Sequence, residues 1–110
     1  MTSVKFLADE NSIYGFEIGG HSSQNCDDEV GKIVCAAVSS AAFMAANTVT
    51  DIIGDKADIT ASDAKMVFVC KKPSNATVKV LLGLQLHLTA LADDYSNNLR
   101  IFGGAKNVKD

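Results

Sequence analysis

The chain has 110 residues, 47% of them hydrophobic, enough to close one core and too short to divide readily into two domains. Ten basic against thirteen acidic side chains leave a net charge of −3, without the cationic surface that binding to a phosphate backbone requires. Direct nucleic-acid binding is therefore not expected.

Residues 3–8 (SVKFLA) and 13–19 (IYGFEIG) alternate apolar and polar positions at the period of a strand, with Val4 and Phe6 in the first and Tyr14, Phe16 and Ile18 in the second. The intervening DENS is a turn, so the pair reads as an antiparallel hairpin with Lys5 or Glu17 on its open face. Residues 20–32 (GHSSQNCDDEVGK) are polar, bounded by glycine and without periodicity, which predicts a long loop. From 33 to 53 the run IVCAAVSSAAFMAANTVTDII places Val34, Val38, Ala41, Ala45, Val49 and Ile52 on one helical stripe, and Gly54 is the expected stop. Its uncharged stretch must be weighed as a membrane span, but Ser39, Ser40, Asn47, Thr48 and Thr50 make it a poor inserter, and its small residues suit a close-packed core helix.

Residues 57–62 and 65–71 predict a second hairpin with Asp63 at the turn; the second strand is apolar on both faces and is expected to be central. Pro73 and Ser74 fit a helix entry, after which Val78, Leu81, Leu82, Gln85, Leu88, Leu91, Ala92 and Tyr95 follow helical spacing. Leu84 and Leu86 widen this stripe, as a helix partly covered by another subunit would show. The segment NLRIFGG predicts a short edge strand ahead of a polar tail. The order strand, strand, helix, strand, strand, helix predicts an α+β domain over residues 1–110, with two helices on one face of a mainly antiparallel sheet.

The charges of Lys5, Asp9 and Glu10 interrupt any apolar run near the first residue, and three cysteines in a chain with a real core suit a reducing compartment. A cytoplasmic protein is expected. Cys26, Cys35 and Cys70 form no C-x-x-C pair, and His21 and His87 have no neighbour at ligand spacing, so no metal site is expected.

With a helix beginning near Ile33, Cys35 falls at its start, where unpaired N–H groups and the dipole favour a thiolate and could also hold an oxyanion. The competing reading is a small buried thiol, and periodicity alone does not separate the two. His21 follows Gly19 and Gly20 at the end of a strand; it is either an exposed loop histidine or, if the helix starts against that end of the sheet, a base for Cys35. Cys26 is a rival nucleophile in the loop, whereas Cys70 and His87 fall within regular elements and are expected to pack there.

The run GFEIGGHSSQ, the loop after it and IVCAAVSSAAFMAANTV resemble the ribosomal-processing cysteine proteases, with a Gly-His after a strand and then Val-Cys-Ala-Ala-Val-Ser at a helix start. The resemblance extends over nearly the whole chain, including DYSNNLRI. It implies a Cys35 nucleophile and a His21 general base. It further implies a homodimer, a cleft for an extended peptide, and removal of a short N-terminal extension from a precursor of a large-subunit ribosomal protein. No metal, organic cofactor or membrane enters this chemistry.

Two departures from the family pattern stand out. Lys32 occupies the position three before the cysteine where the family usually has Asp, and the interval from His21 to Cys35 is longer than usual. Lysine cannot accept a hydrogen bond and so cannot cap a helix, although its charge would favour a nearby thiolate. Asp27, Asp28 or Glu29 could replace the missing carboxylate, or could be no more than a solvated acidic run. Gly20 and Ser39 complete the candidate site, Gly20 by leaving room for substrate and Ser39 by sharing the helix line of Cys35; a hydroxyl there could equally bond back to its own helix. Two other functions remain: a peptide-binding relative without catalysis and a thiol redox sensor, both of which could dispense with His21.

Overall fold

The structure is a computed structural model that describes residues 1–20, 28–62 and 65–104. Strands β1 (Thr2–Ala8) and β2 (Ile13–Gly19) form the first hairpin, as the alternation predicts. Its turn is closed by the Asp9 carboxylate, which accepts from the N–H groups of Asn11 and Ser12, both at 2.9 Å. Those two bonds hold the Asp9 carboxyl below its usual range. Strands β3 (Asp58–Ala61) and β4 (Lys65–Val69) form the second antiparallel pair, and β5 (Leu99–Gly103) pairs with β1 in parallel. The sheet order is β3-β4-β2-β1-β5.

Period-two alternation gives the sheet one covered face. Val4 pairs with Ile18, which pairs with Met66, and Phe6 pairs with Phe16, which pairs with Phe68; all six are buried. Phe16 and Phe68 stack at 5.2 Å between ring centroids, and Phe6 leans on Phe16 at 6.2 Å. Lys5 lies exposed on the opposite face, where Glu17 and Lys65 approach to 3.7 Å. The strand that is apolar on both faces, β4, is interior but not central, a place taken by β2. Val67 and Val69 are only half-buried because, among the described residues, no second layer covers their face of the sheet.

Helices α1 (Glu29–Asn47) and α2 (Asn75–Asp94) cover the apolar face, giving the expected two-layer α+β architecture. Helix α1 starts four residues before the expected position, a difference taken up below. It continues as a π-helical segment, Thr48–Ile53, ended by Gly54 in a left-handed conformation (φ 89°) whose N–H reaches the Val49 carbonyl. An i→i+5 turn holds more residues than an α turn, so the stripe drifts. Val34, Val38, Ala42, Ala45, Ala46 and Val49 are buried, while Ile52, expected on the stripe, is 80% exposed. The helical run from Glu29 to Ile53 is long and apolar enough to span a membrane, yet its buried side chains belong to the same core as the sheet and α2. Ser74 is the N-cap of α2, its hydroxyl accepting from Thr77 N–H, and Tyr95 closes the helix, as their sequence positions suggest. The turn at Asp63 and the tail beyond Gly104 lie outside the described residues.

Candidate active site

The two helices run antiparallel over the sheet, so the start of α1 and the end of α2 meet one end of it. At that end β2 finishes at Gly19, β1 and β5 begin, and Thr2 pairs with Leu99. The Thr2 N–H bonds to the Asn98 carbonyl at 2.9 Å and locks the first residues onto the chain entering β5.

Helix α1 begins with Asp28, in extended backbone (φ −119°, ψ 169°), whose carboxylate accepts from Gly31 N–H at 2.6 Å. Of the three acidic candidates, Asp28 is therefore the one seen to cap the helix, and Glu29 supplies favourable negative charge in the first turn. Asp27 lies outside the described residues. Lys32 does not occupy the cap position. It closes the first turn, its N–H bonded to the Asp28 carbonyl at 3.1 Å, and its side chain is exposed. The expectation that lysine here weakens capping is corrected: the cap lies four residues upstream, where Asp28 supplies the carboxylate.

The same shift corrects the placement of Cys35. Six residues past Glu29, it lies in the second helical turn, where its N–H belongs to the i→i−4 ladder. At the true helix start the Gly31 N–H is held by the Asp28 carboxylate and the Lys32 N–H by the Asp28 carbonyl. Cys35 therefore does not sit at the helix terminus expected to stabilise its thiolate.

What the fold gives Cys35 instead is a partner from β1. Its Sγ lies 3.0 Å from Thr2 Oγ1, and Thr2 is 2% exposed while Cys35 is half-buried. Sequence reasoning missed Thr2. Its one local signal is a hydroxyl on the core-facing register of a strand, in line with Val4 and Phe6. Immediately beside it, Gly20 adopts φ 71°, and a Cβ at this position would fall 2.6 Å from the Met1 carbonyl oxygen. Glycine is required there to let β2 end against the first residue. The end of β2 thus lies next to the thiol's partner strand.

Ser39 follows Cys35 by one helical turn and is half-buried. Cys70 is fully buried beyond β4, and burial, followed by the nearby Asp55 charge, pushes its thiol up, so it packs in the core as expected. His87 does not pack as expected: it is exposed on α2 and lines a groove of about 620 Å³ between the helices, with Ser40, Met44 and Gly83. His21 and Cys26 lie outside the described residues.

Three solved structures share this fold over almost the entire chain. The Staphylococcus aureus ribosomal processing protease Prp in complex with a substrate peptide is 19% identical, covering 94% of this chain and 99% of that one, with a TM-score of 0.84. The same protease with a covalently linked product peptide is 21% identical over the same shares, with a TM-score of 0.77. SMU.848 from Streptococcus mutans is 19% identical, covering 94% and 98%, with a TM-score of 0.79. At these identities the likeness establishes the architecture, and among curated proteins no match is found. A family model, that of the cysteine protease Prp, matches residues 1–100. With four of the five strands, both helices and Cys35 inside that match, the chain belongs to the Prp cysteine protease family.

Proposed function

We propose that this protein is a cysteine endopeptidase that trims an N-terminal extension from a large-subunit ribosomal protein precursor, with Cys35 as nucleophile and His21 as base. The observation that supports it most is the convergence at one sheet end: the half-buried Cys35 thiol touches Thr2, and Gly20, the residue before His21, packs against Met1. Family membership supplies the reaction class, and a related protease binds a substrate peptide.

In this reading His21 accepts the Cys35 proton while the sulfur attacks the scissile carbonyl carbon, and returns that proton to the departing amine. Water, deprotonated by the same imidazole, then releases the acyl group and regenerates the thiol. Acid–base work and a sulfur nucleophile suffice, so no metal, organic cofactor, nucleic acid or membrane takes part. With α1 starting six residues before Cys35, the oxyanion donors in this reading come from elsewhere than the helix start. A cytoplasmic setting keeps the thiol reduced. A homodimer suits the apolar side chains left exposed along the helices, among them Ile33, Met44 and Leu86, at 63%, 65% and 59% exposure. Light scattering coupled to size exclusion reads its mass.

The deciding experiment incubates the protein with the ribosomal precursor and weighs the products. Cleavage at one site in the extension is expected from the wild type and none from a folded Cys35→Ala variant. His21→Ala is expected to slow cleavage roughly 10²- to 10⁴-fold, the usual share of acid–base catalysis. Unchanged turnover by Cys35→Ala would end this assignment, and full activity in His21→Ala would leave a binding or redox role for the thiol.

A further inference from the structure

From the contact between β1 and α1 we infer that Thr2 is the positioning residue of the nucleophile: its hydroxyl orients the Cys35 sulfur and donates to it once the thiol loses its proton. The inference rests on Cys35 being the nucleophile. Thr2 Oγ1 and Cys35 Sγ lie 3.0 Å apart, and in the neutral pair either atom can donate. After deprotonation sulfur has no hydrogen, so the only bond left to the pair runs from the Thr2 hydroxyl to the thiolate. A bond made to the charged form favours that form.

Three features make Thr2 a fixed donor. The residue is 2% exposed, so little water competes for its hydroxyl. Its backbone is tied on β5's side by the N–H bond to Asn98 and by the pairing with Leu99, and its β-branched side chain has few rotamers. Cys35, in the second turn of a capped helix, has a backbone equally fixed. Two rigid elements therefore meet at one hydroxyl–sulfur contact, and this takes over the role that a helix N-terminus cannot play at this depth in α1. The next residue back, Met1, is the one whose carbonyl meets Gly20, so the same strand start meets both the thiol and the end of β2.

The test follows the pH profile of Cys35 alkylation by iodoacetamide, read by mass spectrometry in a Cys26→Ser background, beside kcat and KM for a fluorogenic peptide spanning the cleavage site. Thr2→Val keeps the shape and suits a strand but removes the donor; Thr2→Ala is a second removal should valine disturb packing; Thr2→Ser keeps the hydroxyl. With a hydrogen bond to a charged group as the lost interaction, Thr2→Val and Thr2→Ala are expected to move the alkylation midpoint up by about one pH unit and lower kcat about tenfold with KM little changed. Thr2→Ser is expected to stay close to wild type. Superimposable profiles for valine, alanine and wild type would overturn the inference, as would an equal shift in serine, which would assign the effect to the lost methyl group. Cys35→Ala in the same peptide assay separates the two failures: if it still cleaves, the nucleophile is misassigned, whereas the alkylation profiles judge Thr2 independently of cleavage.

Discussion

The two ends of the sheet are tied to the helices in different ways. At the far end, where the π-helical segment leads into β3 and α2 begins, Asp55 reaches across from another part of the chain to the start of α2. Its carboxylate accepts from Ser74 N–H at 2.9 Å and from the Thr77 hydroxyl at 2.6 Å. Ser74 adds its own cap, so this helix start is held both locally and at long range. At the other end Asp28 caps α1, three residues from the N–H it satisfies, and a long-range side-chain contact joins Thr2 to Cys35. One end is fastened through a carboxylate, while at the other a hydroxyl meets the Cys35 sulfur between the layers.

The difference predicts that substitutions at the far end act on stability and those at the site end act on turnover. Asp55→Ala should bring the largest loss of thermal stability, since it strips the acceptor from an N–H and a hydroxyl together. Cleavage by the fraction that remains folded should be unchanged, and a fall in kcat well below the melting transition would break the division. The sign with pH follows from the same contacts. The Thr77 hydroxyl first, then the Ser74 N–H and Ser74 hydroxyl, hold the Asp55 carboxyl below its usual range. A carboxyl lowered by folding contributes stability that is fully present above its unfolded value, near pH ~4, and is lost as pH falls through the lower folded value. Melting temperatures of wild type should therefore drop on that acid limb more steeply than those of Asp55→Asn, and parallel curves would refute the linkage.

Asp28→Ala comes next in size. Loss of an N-cap costs about 0.5–2 kcal/mol, so the melting temperature should fall by several degrees. Unlike Asp55→Ala, this variant should also lower kcat at temperatures where it is folded, because it frees the first turn of the helix that carries Cys35. Equal kcat in Asp28→Ala and wild type would show that the cap serves the fold alone.

Much of this division could be read in the sequence wherever the signal was local. The hairpin register followed from alternation at Val4, Phe6, Phe16 and Ile18, and the ends of α2 from Ser74 and Tyr95. The start of α1 was hidden because Glu29, Val30, Lys32 and Ile33 are all exposed, so the first turn shows no apolar stripe and merges with the polar loop before it. Yet Asp28 followed by Glu29 is a legible cap and first turn. The parallel pairing of β5 with β1, and the meeting of Thr2 with Cys35, join residues that no spacing rule connects. Ile52 misled because helical periodicity assumes α turns and the chain ends α1 in π turns.

The smallest effect expected belongs to Lys32. It lies three residues before Cys35 on the helix, within reach of the same face, but its side chain is exposed. Two unit charges 4 Å apart in water interact by only about 1 kcal/mol, and salt at physiological strength screens this further. A lysine in the first turn also opposes the helix dipole, by roughly 0.3–1 kcal/mol. Lys32→Gln should therefore raise the melting temperature slightly and slow alkylation of Cys35 near neutral pH by less than about threefold, a difference that fades as salt is added. Lys32→Asp should stabilise a little more, without restoring a cap, since Asp28 already provides it. The comparison with Thr2→Val is the informative one: a buried hydroxyl at 3.0 Å should outweigh a solvated ammonium. Should Lys32→Gln move the alkylation profile further than Thr2→Val, and do so at high salt, the thiolate would be held by charge from its own helix and not by the strand across from it.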